Sequence, residues 1–442
     1  MAFKKRPLNV SRRQLLLGGG ALLAGTALAL KPQAITRTTG DSHVHDAYFQ
    51  RLSTALHGDG VATPVLLIDK QRLDANLETL LQHTQDRFDY RIVAKSLPSI
   101  PLLAYVMAKA ETNKLMVFHQ PFLIQVTQHL PHADVLMGKP LPVAAAQQFY
   151  FAQAAANTAK QTGFDDEAQL QWLIDSPKRL MQYKQLAETL QRRLNINIEL
   201  DVGLHRGGVS ESSDFLTMLD MIEASPYLRF SGLMGYEPHI GKVPGDPINH
   251  RDEAMHIYQK YVTLAETHLK RSIQNLTLNA AGSPTYQFYN QGAFPMNELS
   301  AGSCLLKPSD FDLPTLHDHI AAAFIATPVL KVLPQTQIPG GFVGKGLSGL
   351  MAWWNPNWEQ AFFVYGGYWK AKPESPKGLV LNPVYGRSSN QEMLNGSANV
   401  PLKQDDWVFW RPTQSESVLL QFGDLLLLDH NEITQRWPVL RG

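Results

Sequence analysis

The chain reads as an α/β protein, a (β/α)8 TIM-type barrel followed by a C-terminal β-rich domain. Short apolar runs at residues 65–69, 91–95, 115–119, 134–138, 171–175, 196–203, 230–236 and 276–280 alternate with stretches of helical periodicity such as 73–83, 102–110, 143–156 and 253–269. Eight such units across roughly 220 residues suit a closed parallel barrel. No glycine-rich dinucleotide fingerprint follows the first run, which counts against the alternative, an open doubly wound sheet. After about Pro308 the texture changes. Helical periodicity fades, Pro, Gly and Trp become frequent, and strand-like runs follow at 361–365, 378–381, 407–410, 418–422 and 425–428. The expected organisation is therefore residues 1–34 as an export signal, 35–60 as a polar lead-in, 61–307 as the barrel and 308–442 as the β domain.

The first element is a targeting segment. Lys4, Lys5 and Arg6 precede Ser11-Arg12-Arg13-Gln14-Leu15-Leu16 and an uncharged run over 17–30. That run is short and rich in Gly and Ala for a spanning helix. The paired arginines resemble a twin-arginine signal, although Leu15 stands where phenylalanine is common. Cleavage between Ala29 and Ala34 and a periplasmic location are expected, with membrane contact only during export. In the lead-in, His43, His45 and His57 read as part of a solvated entry segment in preference to a metal cluster.

Composition bounds the rest. At 442 residues with 44% hydrophobic and 18% charged residues, the chain can bury a large core. A net charge of +1 argues against nucleic-acid partners and a polybasic membrane role. The single cysteine, Cys304, excludes an intramolecular disulfide and reads as a buried small hydrophobe.

Within the barrel, the second run ends in a lysine: Tyr90-Arg91-Ile92-Val93-Ala94-Lys95-Ser96, then Leu97-Pro98-Ser99. A lysine there is costly unless its charge is paired, used or replaced by a bond, and the C-terminal end of a parallel barrel is where chemistry sits. The bland alternative is a lysine leaving the strand for solvent. The sixth strand carries Glu199, Asp201 and Gly203 on one face, with Arg206 in the loop beyond, in reach of an anion. The seventh ends in Tyr236-Glu237-Pro238-His239. The eighth ends in Ala281-Gly282-Ser283-Pro284-Thr285, whose small residues and hydroxyls suit a phosphate as well as an ordinary turn. Farther on, Asp429-His430-Asn431-Glu432 reads as a hairpin turn, and the Trp353-Trp354…Trp358 cluster as packing.

Together with Asp201-Val202-Gly203, Arg206, Gly208 and Glu298-Leu299-Ser300-Ala301-Gly302-Ser303, these motifs resemble the alanine-racemase-type (fold type III) pyridoxal phosphate enzymes. Within them the chain is most similar to the D-threonine aldolase and D-serine dehydratase branch, the amino acid deaminase/aldolase group. The similarity runs from about Thr63 to the closing Trp437-Pro438-Val439-Leu440-Arg441-Gly442. It implies pyridoxal 5'-phosphate as cofactor, with Lys95 as the lysine that carries it. It places Arg206 near the phenolic oxygen, Tyr236 near the pyridine ring, and Gly282, Ser283 and Thr285 at the phosphate. An unprotonated lysine attacks an aldehyde and later serves as base, and the cofactor is the electron sink. His239 is a candidate second acid/base.

Two positions depart from the pattern. The relatives carry a His-x-Cys or His-x-Asp metal pair where this chain reads Arg411-Pro412-Thr413-Gln414-Ser415-Glu416. Gln414 replaces the histidine, which makes a divalent metal doubtful, with a hard cation at Glu416 as the remaining option. Ser300 stands where an arginine often follows Glu-Leu, leaving the pyridine-nitrogen partner open. The function expected is a lyase, an aldolase or dehydratase/deaminase, acting on a D- or β-hydroxy amino acid as a small-molecule partner. An amino acid racemase and a cofactor- or amino-acid-binding protein with vestigial activity are the alternatives. A homodimer is expected.

Overall fold

In a computed structural model of the chain, residues 44–84, 87–158 and 163–442 are described. The export signal, with Arg12 and Arg13, lies outside the described residues, as do residues 35–43 of the lead-in, His43 among them.

The barrel closes in the order of its strands. A first strand, β1 (Val65–Asp69), precedes it. Then come β2 (Asp89–Val93), β3 (Lys114–Val117), β4 (Asp134–Met137), β5 (Leu170–Ile174), β6 (Leu194–Leu200), β7 (Leu228–Gly235), β8 (Thr277–Ala280) and β9 (Glu298–Ala301). Neighbouring strands pair in parallel, and β9 returns to β2 through Tyr90↔Leu299 and Ile92↔Ala301. Strands β3, β4 and β5 are almost wholly buried, as strands covered by helices on one side and barrel side chains on the other must be.

One strand assignment changes. The run at 65–69 is not a barrel strand; Glu298–Ala301 takes the eighth place. β1 instead pairs antiparallel with β10 (Ala323–Leu333) and parallel with β16 (Asp424–Asp429). All five β1 residues are buried, and a continuous apolar run does not say which sheet buries it. β9 escaped notice for the opposite reason. Its residues Glu298 and Ser300 enter a polar network, so Glu-Leu-Ser-Ala carries no apolar signature.

The described residues form two compact units. The first holds residues 47–328, 368–374 and 407–442. Besides the barrel it contains β1, the N-terminal part of β10, β15 (Trp407–Pro412), β16 and β17 (Glu432–Pro438). Helix Ala47–Gly58 lays Phe49, Leu52 and Leu56 on Val65, Leu67, Phe324, Phe409 and Leu426 to make this sheet's core. β16 and β17 meet in a hairpin whose turn starts with Asp429 opposite Glu432, as read from the sequence.

The second unit holds residues 44–46, 329–367 and 375–406. In it the end of β10 pairs with β11 (Gln360–Tyr365), β11 with β14 (Gln391–Gly396), and β14 with β13 (Val380–Leu381). β12 (Ala371–Ser375) spans the division and pairs with β15. Residues 341–354 form a helix, Gly341–Trp354, where fading periodicity predicted none. Its glycines lower helix propensity, and its buried residues are the small Gly344 and Ser348, so no apolar stripe marks it. Residues 419–422 are likewise a 3-10 turn (Leu419–Phe422), not part of a strand.

Candidate active site

The C-terminal ends of the barrel strands surround a cavity of about 630 Å³, counting its open mouth, and every residue lining it belongs to the first unit. Lys95, Arg206, Tyr236, Gly282 and Ser283 line it, joined by Phe118, Glu199, Ser300, Ser303 and Glu416.

Lys95 is not on β2 but in the 3-10 turn Ala94–Ser96 that follows, because Leu97-Pro98 cannot extend the strand. The segment is fastened from the far end of the chain, where the N–H of Leu440 donates to the carbonyl of Pro98 at 2.7 Å. The lysine's charge is paired: Nζ lies 2.9 Å from Glu416 Oε1 and 4.5 Å from the centroid of the Phe118 ring. Beside it, the hydroxyls of Ser96 and Ser303 are 2.9 Å apart, and those of Ser303 and Ser415 3.2 Å apart.

Arg206 reaches the cavity from the loop between β6 and Val209. That loop folds back so that the Val209 N–H donates to Glu199 O and the Asp201 N–H to Val209 O. Gly208 permits the return. Its φ is +93°, and a Cβ there would meet the Leu200 carbonyl carbon at 2.5 Å. Asp201, grouped with Glu199 by strand alternation, instead caps the loop by accepting the N–H groups of Gly203 and His205 at 3.0 and 2.9 Å. Burial tends to raise its carboxyl, but these bonds and the His205 imidazole outweigh it and hold the group below the usual range. The Arg206 guanidinium lies 5.2 Å from the Tyr236 ring centroid. Burial, then the Glu237 carboxylate, pushes the Tyr236 hydroxyl up to about 12 against the pull of Arg206.

The 281–285 loop is held by polar groups behind the cavity. Ser283 Oγ accepts the N–H groups of Gly302 and Cys304 at 3.0 and 3.1 Å, which leaves its own proton to donate. Thr285 does not line the cavity. Its Oγ1 donates to Glu237 Oε1 at 2.9 Å and accepts from the Gly282 N–H. Glu237 is fully buried, and burial raises its carboxyl to about 7 despite the bonds from Thr285 and Ala281. His239 does not line the cavity either. It packs beside Gly203, its Nδ1 is buried without a partner, and burial with nearby His250 and His205 lowers its pKa. Cys304 is buried, and burial pushes its thiol up to about 12, consistent with a packing residue.

Glu199 gains importance that the sequence did not assign it. Burial, reinforced by Asp175 and Asp201 and opposed by Arg206, raises its carboxyl to about 7. The fold favours the protonated form, so the stability tied to this group is complete below the ordinary glutamate range and lost as pH rises through about 7. Above that pH the cavity also gains a negative charge. An anionic ligand should therefore bind more weakly as pH rises through 7, and Glu199→Gln should remove that component. Titrations of pyridoxal phosphate binding between pH 6 and 8, wild type against variant, read this directly. Identical pH slopes would remove Glu199 from the account.

Phe118, Ser303 and Ser415 were also unassigned. Phe118 directly follows β3, at the rim shared with Lys95, and strand counting could have found it. Ser415 and Glu416 come from beyond β15, which only the folded chain brings near. Gln414 is exposed and does not line the cavity. Among the described residues, no three His, Cys, Asp or Glu side chains are grouped to hold a metal ion.

The donor set fits a phosphorylated aldehyde with an aromatic ring. Lys95 offers an amine for the carbonyl, Tyr236 a ring face, and Arg206 and the Ser283 hydroxyl hydrogen bonds to oxygen. Comparisons with known proteins agree with the fold. The alanine racemase N-terminal domain model matches residues 68–310. D-threonine aldolase from Filomicrobium marinum superposes with a TM-score of 0.66 at 14% identity, over 86% of this chain and 97% of that one. D-threo-3-hydroxyaspartate dehydratase from Delftia sp. HT23 gives 0.63 at 14%, over 86% and 98%. Alanine racemase of Clostridium difficile 630 gives 0.64 at 14%, over 85% and 98%. No curated protein sequence matches. With more than half its length matched by the family model, this chain belongs to the alanine racemase N-terminal domain family, the fold type III enzymes that depend on pyridoxal phosphate.

Proposed function

We propose that the protein is a pyridoxal-phosphate-dependent lyase acting on a D- or β-hydroxy amino acid. The observation that carries the reading is Lys95, which lines the cavity together with Arg206, Tyr236 and Ser283. The cofactor would supply the electron sink for the bond broken at the amino acid's Cα. Lys95 would hold it by its aldehyde, the Ser283 hydroxyl would face the phosphate, and Arg206 would face an anionic oxygen. Cavity side chains that can move a proton include Lys95, Glu199, Glu416 and Tyr236. Two of them are carboxylates, and cleavage of a β-hydroxy amino acid needs an acceptor for the hydroxyl proton. His239, the acceptor expected from sequence, does not line the cavity, so Glu199 takes that part in this reading.

A panel of D- and L-amino acids, with and without a β-hydroxyl, tests the proposal. Release of aldehyde, or of ammonia and keto acid, from a D- or β-hydroxy member is the expected result. It should persist in a strong chelator, because Gln414 is a poor ligand at the position where the resembling enzymes place a histidine. Exchange of configuration without cleavage across the whole panel would replace the lyase by a racemase.

A further inference from the structure

Tyr236 and Glu237 are consecutive residues at the end of β7, and their side chains part. Tyr236 lines the cavity, whereas Glu237 does not line it and is fully buried. Burying a carboxyl group is costly unless hydrogen bonds or a cation compensate it. The donors that compensate Glu237 are neutral, and two of them belong to the loop that follows β8. Its Oε1 accepts the Thr285 hydroxyl at 2.9 Å, and its Oε2 accepts the Ala281 N–H at 3.3 Å. Both bonds fall where the shape of that loop is decided. Ala281 has a φ of +63°, a left-handed conformation that a Cβ disfavours. Thr285 Oγ1 accepts the Gly282 N–H at 3.1 Å, while the N–H groups of Thr285 and Tyr286 both donate to the Gly282 carbonyl at 2.9 Å. Gly282 is also pressed on the Tyr236 ring, since a Cβ there would meet Tyr236 Cε2 at 2.6 Å. Ser283, which does line the cavity, is carried between these fixed points.

We infer that Glu237 is a positioning residue for the cofactor's phosphate: through Ala281 and Thr285 it holds the 281–285 loop in the shape that sets Ser283 in the cavity wall, and so gives the site its preference for a phosphorylated ligand. The inference deepens the proposed function and rests on it. Neither Glu237 nor Thr285 lines the cavity, so both act through the loop. Without the two acceptor oxygens, the Ala281 N–H and the Thr285 hydroxyl would be left unpaired in a buried place, which is costly. Releasing the left-handed turn at Ala281 would relieve that cost, and Ser283 would move with it. Lys95 follows a different strand, β2, and is fastened by other bonds, so the aldehyde end of the ligand does not depend on this loop.

Pyridoxal phosphate and pyridoxal share the aldehyde and the ring and differ in the phosphate. The ratio of their dissociation constants, read by absorbance at equilibrium with the full-length protein, therefore isolates the loop. Wild type should bind pyridoxal phosphate at least ~10-fold more tightly than pyridoxal. Thr285→Val keeps the side-chain shape and removes the hydroxyl that links Glu237 to Gly282, and Glu237→Leu removes both acceptor oxygens. Each should weaken pyridoxal phosphate by ~10-fold and leave pyridoxal within ~2-fold of wild type. Thr285→Ser, which retains the hydroxyl, should keep the wild-type ratio. A role confined to stability would leave the ratio unmoved in whatever protein remains folded, and Thr285→Val carries the test where Glu237→Leu does not fold. An unchanged ratio in Thr285→Val, or a wild type that binds the two ligands equally, overturns the positioning role and leaves the proposed function standing. A wild type that binds neither ligand overturns both.

Discussion

Borohydride treatment of the protein with pyridoxal phosphate should fix the cofactor on Lys95 and abolish the visible band, and Lys95→Ala should lose both the band and about 10⁴-fold or more of the activity. The magnitude follows from the two tasks assigned to one amine, covalent attachment and proton transfer. Position is the warrant. Lys95 lines a cavity at the C-terminal ends of the barrel strands, and its turn is fixed by the Leu440–Pro98 hydrogen bond. The fold should survive the change, because the side chain is partly exposed and an exposed ion pair such as that with Glu416 contributes about 0–1 kcal/mol. A thermal melt of the variant checks that. If Lys95→Ala protein reduces pyridoxal phosphate onto another lysine as efficiently as wild type, the assignment is wrong.

The second large effect concerns the opposite end of the barrel. Arg91 is fully buried and holds Glu298 with Nε–Oε1 at 2.5 Å and Nη2–Oε2 at 2.9 Å, while its Nη1 reaches Asp134 Oδ1 at 2.9 Å. Lys114 Nζ and Asn279 Nδ2 also bond Glu298, at 2.9 and 2.8 Å. Glu298, Lys114 and Asp134 each begin their strands, so the network ties β2, β3, β4, β8 and β9 together where the barrel closes. Burial alone would raise the Glu298 carboxyl; Arg91 and Lys114 outweigh it and hold it below the usual range. Its contribution to stability is thus present above the ordinary glutamate value and lost as pH falls through the lowered one.

Glu298→Ala leaves Arg91 buried opposite an emptied position and should cost about 3–5 kcal/mol. Urea unfolding should show a much lower midpoint. Adding Arg91→Met to that variant should recover part of the loss, because the buried guanidinium would otherwise keep Asp134 as its one carboxylate partner. A single variant with the wild-type midpoint would show that the network does not stabilise the barrel. Such a variant should retain the spectrum of attached cofactor wherever it remains folded, since none of these side chains lines the cavity.

Much of the architecture was readable because barrel strands and helices differ in hydrophobic period. Seven of the eight barrel strands stand out as apolar runs, and the lysine after the first of them stands out because it ends such a run. The Gly282-Ser283 loop, Arg206 and Tyr236 were legible for a related reason. They sit at or just beyond strand ends, and a parallel barrel brings those ends to one rim. Local composition also marked the hairpin at Asp429–Glu432 and the buried character of Cys304.

Tertiary structure decided the rest. Which sheet takes Val65–Asp69 depends on partners more than 250 residues away in sequence, Ala326 and Leu425 among them. β9 shows no apolar run because its polar side chains satisfy Arg91, Lys114 and Asn279 inside the barrel, and that satisfaction exists only once the barrel closes. Alternation placed Asp201 beside Glu199, but the chain bends at Gly203 and turns the aspartate into a loop cap. Thr285 and His239 follow strand ends as Ser283 and Tyr236 do, yet one is taken up by Glu237 and the other packs beside Gly203. Glu416 lies 321 positions after Lys95 in sequence and 2.9 Å from it in space. Sequence periodicity reports the face on which a residue lies within its own element. A contact between a barrel turn and a segment beyond β15 depends on how the whole chain packs.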